Sequence, residues 1–440
     1  MRRILHTLLC FAAVTVAAWA DPPGLVGRLS YISGSVTFFP AAGSAWQAAM
    51  LNYPLTTGNM LATADASRAE IQIGSASMQL SQGTSISFDS LDYQTVQLRL
   101  DKGLVSVRLH NLAAGQTFLV NLPTASVSLS APGLYRFQQR SDGTVTIVTR
   151  SGNAQVTGGV TSFQVYSGQA ADIPGSNAAA YKITAAPPSD QWDAWVAGRN
   201  SMQSGAASTA YVSSQMEGVS DLDEYGTWNV VAGYGPVWFP AVVPVGWAPY
   251  TLGTWIWIDP WGWTWVDYEP WGFAPFHYGR WALVGAVWGW VPGPIVRQPV
   301  YAPALVTWVG GTPLRGTPPS QGGISWAPLG PRQVFHPMYT ASTSYVRAVN
   351  GTAILPSRGS ISSVEGPAFD QPQRSTSAWP FHDRQPNGAF MDSGARQVAP
   401  TFPHNVAPRY RPQPEYQQPP WYPQGQPIQG GVASAPYRRR

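Results

Sequence analysis

Two carboxylates, Asp267 and Glu269, stand two residues apart in the stretch "TWIWIDPWGWTWVDYEPWGFAPFHYGRW" (254–281), with Asp259 nearby and seven tryptophans around them. Paired acids beside aromatic platforms are what glycosidic hydrolysis requires: one protonates the leaving oxygen, the other acts as base or nucleophile. The same pair has a plainer reading. Both acids fall in "DYEP", where Asp and Pro have local reasons to form a turn, and the turn reading is preferred.

Elsewhere the search for chemistry fails. The sole cysteine is Cys10, and His6, His110, His277, His336, His382 and His404 show no metal-ligand spacing. No Gly-rich phosphate loop opens a helix, and G-x-S-x-G is absent. The sequence therefore predicts no catalytic residue, no metal and no cofactor. What it offers is a binding face. Trp261 and Trp271 follow proline in "DPWG" and "EPWG" and so ride on turns, with Trp263, Tyr268, Asp267 and Glu269 beside them. Exposed aromatics of this kind can stack on a sugar or on a partner protein.

The elements that would position these residues form a repeat. "YGTWNVVAGYGPVWFP", "LGTWIWIDPWGWTWV" and "YGRWALVGAVWGWVPGP" align, placing Trp228, Trp255 and Trp281 at spacings of 27 and 26 residues, each with glycine at −2 (Gly226, Gly253, Gly279). A period in this range marks units that cannot bury their apolar face alone. Within units the indoles lie at i and i+2 (Trp255/Trp257, Trp263/Trp265, Trp288/Trp290), which is strand spacing. About three two-stranded units are expected over 225–312, with 313–356 as an extension. Trp228, Trp255 and Trp281 are expected in the core, each glycine admitting an indole close to the backbone.

Upstream, 21–175 reads as an all-β domain, a sandwich or solenoid, because short alternating strands recur between turn signals. In "RAEIQIGSASMQLSQGTSISF", Ala69, Ile71 and Ile73 face one way, followed by Met78, Leu80, Ile86 and Phe88. "VQLRLDKGLVSVRL" reads as a hairpin turning at Asp101-Lys102-Gly103. The period changes in the connector 176–224. Trp192, Trp195, Val196 and Arg199 at i, i+3, i+4 and i+7 predict a helix over about 190–204, capped by Ser189, that packs on the β-domain as a strut. An extended connector should follow. The composition shifts predict two protease-resistant pieces, about 25–175 and 220–350.

Residues 357–440 hold fourteen prolines, many Gln and Ser, and end in "YRRR". Such a tail cannot bury enough apolar surface to fold and is expected to be disordered. It carries nine Arg against five acids, and Arg2 and Arg3 lie at the other end, so 21–356 is net negative although the chain is +4. The basicity belongs to no domain surface, which argues against nucleic acid as a partner. Residues 1–20 combine a basic start, an apolar run and "AWA" ending at Ala20, the anatomy of a cleavable export signal. The run is too short to span a bilayer. Leu9 before Cys10 is a poor context for lipidation. The expectation is an extracytoplasmic protein, periplasmic or secreted, with no transmembrane segment after cleavage and no cysteine from residue 21 on.

Two resemblances add to this reading. "ISGSVTF", "LTTGNMLATADASRAEIQI", "LRLDKGLVSVRL", "VNLPTASVSLSAPGLYRF" and "DGTVTIVTRSGNAQV" come in an order that resembles the FecR domain of bacterial cell-envelope proteins. That resemblance implies an extracytoplasmic β-module of the kind that relays receptor state to a sigma factor. The cytoplasmic region and membrane helix of such regulators are missing, so the circuit does not carry over with the fold. "YVSSQMEGVSDLDEYGTWNVVAGYGPVWFP", "GWAPYTLGTWIWIDPWGWTWVDYEPWGFAPFHYGRW" and "ISWAPLGPRQVFHPMY" resemble a tryptophan-rich domain of unknown function found behind FecR-type domains. Gln333 stands where that resemblance would place a glutamate. Together these imply a non-catalytic envelope scaffold that engages a protein or glycan and is linked to envelope signalling. The competing expectation is a polysaccharide-active enzyme using Asp267 and Glu269.

Overall fold

The computed structural model describes residues 21–354, apart from 44, 159–160 and 176–179. The expected signal segment and the tail 357–440 lie outside the described residues. The protein is mainly β.

Seventeen strands, from Gly27–Ser33 to Lys182–Ala185, form one hydrogen-bonded network. Its spine is a single 15-residue strand, Thr95–Leu109. The first half pairs with Ser85–Leu91 and, in parallel, with Thr117–Leu122. The second half pairs with Ala76–Leu80 and Gly133–Gln139. The hairpin expected here is therefore corrected. Gly103 has φ +89°, and a Cβ on it would lie 2.5 Å from Thr84 Cα. The glycine bends the strand from one ladder into the other without reversing it.

Alternation places Ala69, Ile71, Ile73, Met78, Leu80, Ile86 and Phe88 in the core, as their spacing predicts. The polar positions between them are not in water either: Glu70, Gln72, Ser77 and Gln79 are all buried. Helix α1 (Gln191–Gln203) covers part of this polar face. Arg199 contacts Glu70 through two 2.9 Å bonds, Trp192 Nε1 donates to Ser106 Oγ at 2.9 Å, and Ser77 Oγ donates to Asn200 at 3.0 Å. The strut expectation agrees with this packing. Its cap is Asp190, not Ser189, because Asp190 and Asp193 exchange side-chain-to-backbone bonds in a reciprocal capping box. The connector beyond is not extended. It holds a 3-10 turn at Ala207–Ala210 and helix α2 (Val219–Tyr225), entered through Gly218 at φ +85°.

Three hairpins appear at the expected repeat: Gly226–Val231 with Gly235–Pro240, Gly253–Ile258 with Gly262–Asp267, and Arg280–Val284 with Val287–Val291. A fourth, Val306–Val309 with Ser325–Pro328, lies in the extension. The first and third join into one four-stranded sheet. Short helices α3 (Ala274–His277) and α4 (Thr343–Val349) complete the described fold.

Each hairpin sets two tryptophans directly opposite: Trp228 and Trp238, Trp255 and Trp265, Trp281 and Trp290, Trp308 and Trp326. The repeat glycines explain themselves. A Cβ on Gly226, Gly253 or Gly279 would lie 2.3, 2.4 or 2.5 Å from the indole of Trp238, Trp265 or Trp290 respectively. All described residues fall within one compact unit, and the main core cluster runs unbroken from Leu25 to Val306. The two-piece expectation meets a continuous core instead.

Candidate functional site

The acidic turn closes on itself. Asp267 is 2% exposed; its carboxylate accepts from Trp265 Nε1 and from the Glu269 backbone N–H, both at 3.0 Å. Gly272 presses against it so closely that a Cβ there would lie 2.4 Å from Oδ1. Burial holds this carboxyl well above the usual carboxylate range, and burial also raises the half-buried Glu269. A raised acid is the right state for a general acid. With both oxygens committed and no free approach, however, Asp267 serves the turn.

The turn faces the β-domain. Asn52, fully buried and held at φ +62°, donates its side-chain amide to the carbonyls of Asp267 (3.1 Å) and Glu269 (2.7 Å). Arg28, 1% exposed, donates Nη2 to the Pro270 carbonyl at 2.6 Å and Nε to Asn52 Oδ1 at 2.9 Å. Its Nη1 reaches Gln72 Oε1 at 3.1 Å and forms an ion pair with Asp221. Arg28 thus ties a β-domain strand, α2 and the acidic turn together. Beside it, buried Glu217 accepts from the Gly74 backbone at 2.7 Å and from Tyr278 Oη at 2.6 Å. Gln72, on the polar stripe of the β-domain, is spent on the same seam, accepting from Arg28 and from the Gly218 N–H, whereas Glu70 is held by α1.

The tryptophans expected to be exposed on turns are not. Trp261 and Trp271 are each 2% exposed and Trp263 is 6% exposed, which corrects the binding-face expectation for all three. Trp271 packs on Trp238 and Trp247 at 5.1 and 5.8 Å between centroids, and Trp261 on Tyr301 at 5.2 Å. These partners come from remote segments, so the Pro-Trp-Gly turns point inward. Of the six candidate contacts, Tyr268 alone is exposed. The repeat-register expectation fares better. Trp255 and Trp281 are buried, whereas Trp228 is half-buried on an edge strand, stacked on Tyr211 at 4.6 Å. Most indole N–H groups find acceptors: Trp238 the Leu222 carbonyl, Trp290 that of Tyr278, Trp263 that of Leu314 and Trp326 that of Tyr250.

Sequence reasoning missed Arg28, Asn52, Glu217 and Tyr278, since nothing local marks a residue whose partners lie from 24 to 242 positions away. It also missed Arg280. This residue is 1% exposed and bonds to the carbonyls of Gly279 and Gln333 and to Asn350 Oδ1. Burial lowers its guanidinium to about 10. Gln333 contributes its carbonyl here, and its side chain accepts from the Gly330 N–H at 2.7 Å. Among the described residues no three His, Cys, Asp or Glu side chains are grouped as a metal ion would need, and no helix is long and apolar enough to cross a membrane.

The fold and seam define a β-domain fused to a tryptophan-hairpin module. A family of unknown function, DUF6600, matches residues 219–333, which spans α2 and all four hairpins. No curated protein matches the chain. Two crystal structures of a candidate anti-sigma factor from Parabacteroides distasonis ATCC 8503, at 1.65 and 2.50 Å, are similar to it at 12% and 13% identity. Each match has a TM-score of 0.28, covers 32% of this chain, and takes in 65% or 64% of that chain, under two thirds of its length. At that score the likeness carries no argument about function.

Proposed function

We propose that this chain is a non-catalytic scaffold of the cell envelope, exported by its first twenty residues. In this reading a FecR-like β-domain and the tryptophan-hairpin module act as one rigid body that engages an envelope glycan or protein. The observation that carries it is the fate of the acidic turn. Asp267 is enclosed by Trp265, the Glu269 N–H and Gly272, and the carbonyls of 267, 269 and 270 are taken by Asn52 and Arg28. A glycosidase needs two carboxyls flanking an open cleft, whereas this pair braces an internal joint. The link to envelope signalling rests on the FecR-like motifs of 25–175.

The test is to incubate the full chain with purified peptidoglycan sacculi and with outer-membrane polysaccharide. Co-sedimentation without release of reducing ends is expected. Release of reducing ends that disappears in Asp267→Asn would overturn the reading in favour of the enzyme. N-terminal sequencing of protein from an envelope fraction should give Asp21, and an intact Met1 would refute export by cleavage.

A further inference from the structure

The seam borders a sizeable opening. A cleft of about 510 Å³ lies where four separate segments converge: the β-domain loops at 93 and 111–116, the connector at 209–215, and the strand-free run 295–298 after the third hairpin. Its volume falls within the ~300–1,000 Å³ typical of small-ligand sites, but its lining is more polar than theirs. Asn111, Gln116, Gln215 and Gln298 contribute four side-chain amides, and Arg297 is the one charged lining residue. Ile295, 61% exposed, and the half-buried Val296 supply an apolar patch, with the buried Val212 beneath them.

We infer that this cleft binds an N-acetylated oligosaccharide. The inference deepens the glycan reading above and rests on it. A carboxamide is both donor and acceptor, so it matches sugar hydroxyls and, better, an acetamido group, which is itself an amide. An apolar patch beside amides suits the acetamido methyl and the C–H face of a ring. No lining residue is a carboxylate, so nothing here rewards a cationic ligand, and Arg297 admits an acidic substituent. The amides are also available. Asn111 and Gln298 make no side-chain hydrogen bond within the described chain, and Gln116 spends only its oxygen, accepting from the Ala113 N–H at 3.2 Å. Tyr93 donates to the Pro299 carbonyl and so ties the β-domain wall to the module wall. An extended peptide fits less well, because it would look for an open strand edge or an apolar pocket.

The experiment is calorimetric titration of the full chain with a β-1,4-linked tetramer of N-acetylglucosamine, with cellotetraose as the same backbone without acetamido groups, and with tetra-alanine. The N-acetylated tetramer should bind at least tenfold more tightly than cellotetraose. The Asn111→Ala/Gln298→Ala double variant should lose at least tenfold in affinity with an unchanged melting temperature, since neither side chain supports the fold. Absence of binding by the N-acetylated tetramer, or binding unaltered in the double variant, would overturn the assignment. Equal binding of tetra-alanine would do so in favour of a peptide cleft. Sacculi that still co-sediment when the cleft variant is unaffected would reject the cleft alone. Hydrolysis of sacculi would reject the scaffold reading beneath it.

Discussion

Glu217 shows how a single side chain links the seam to pH. It is 1% exposed, and burial pushes its carboxyl up from 4.5 to about 7, although the bonds from Tyr278 and Gly74 pull the other way. The folded state therefore holds this proton more tightly than the unfolded chain. The associated stability is complete below about pH 4.5 and is lost as pH rises through about 7. At roughly 1.4 kcal/mol per pH unit of difference, the loss amounts to about 3 kcal/mol. Burial drives Asp267 in the same direction, so its loss of stability also accompanies rising pH. His277 works with the opposite sign. Burial lowers it from 6.5 to about 3, so its contribution is present above pH 6.5 and disappears as acid charges the ring. Urea unfolding at pH 5 and pH 8 should show wild type losing stability at the higher pH and Glu217→Gln losing distinctly less. An identical pH difference in both proteins would mean that Glu217 does not titrate in this range.

The hairpin unit is a pair of facing indoles with a glycine beside one of them, and this makes opposite predictions for two glycines. Gly253→Ala puts a methyl 2.4 Å from Trp265 Cζ2 and 2.5 Å from the Val266 carbonyl, so the hairpin has to splay. The cost should be about 1–3 kcal/mol or more, as for other overpacked cores. Gly198 lies exposed in α1 with nothing within 4 Å of a Cβ. Gly198→Ala should stabilise by about 0.5–1 kcal/mol through helix propensity. Thermal melts decide, and a harmless Gly253→Ala would refute the close-approach account. Trp271→Ala should cost about 3–5 kcal/mol, as much as Trp255→Ala, because both indoles are core. That equality also marks what the sequence makes legible. Gly-x-Trp and the i, i+2 indoles are hairpin physics, readable within ten residues, and the three hairpins follow from them. The burial of Trp261 and Trp271 depends on Tyr301, Trp247 and Trp238, and no local pattern announces those neighbours. The polar stripe of Glu70, Gln72, Ser77 and Gln79 reads locally as a solvent face. Only the docked α1, Arg28 and Gly218 make it an interior one. The fourth hairpin went unread because its paired Trp308 and Trp326 are separated by a long, glycine-rich loop outside the repeat spacing.

At the scale of the molecule, the question is whether the β-domain and the hairpin module unfold together. The seam argues that they do. Arg28 alone joins Asn52, Gln72, Asp221 and the Pro270 carbonyl, while the Tyr301 N–H donates to the Gly24 carbonyl at 2.9 Å and Ser342 donates to Asp21. The main core cluster crosses the same boundary. The chain supplies its own reporters, because between residues 21 and 185 the only tryptophan is Trp46, whereas the hairpins hold most of the rest. Tryptophan fluorescence therefore follows the module, and far-UV circular dichroism is weighted toward the seventeen strands of the β-domain. In urea the two signals should change at one midpoint, and limited proteolysis should leave 21–354 as one piece. Arg28→Ala strands Asp221 without its cation and leaves Asn52 Oδ1 and the Pro270 carbonyl without a donor. Asp221 keeps 24% of its side chain in water, so the cost should fall below the about 3–5 kcal/mol of a fully buried pair broken on one side, and both signals should shift to lower urea together. Separated midpoints in the wild-type chain would mean two independent domains resting against each other, and the single-body scaffold would fall with the seam.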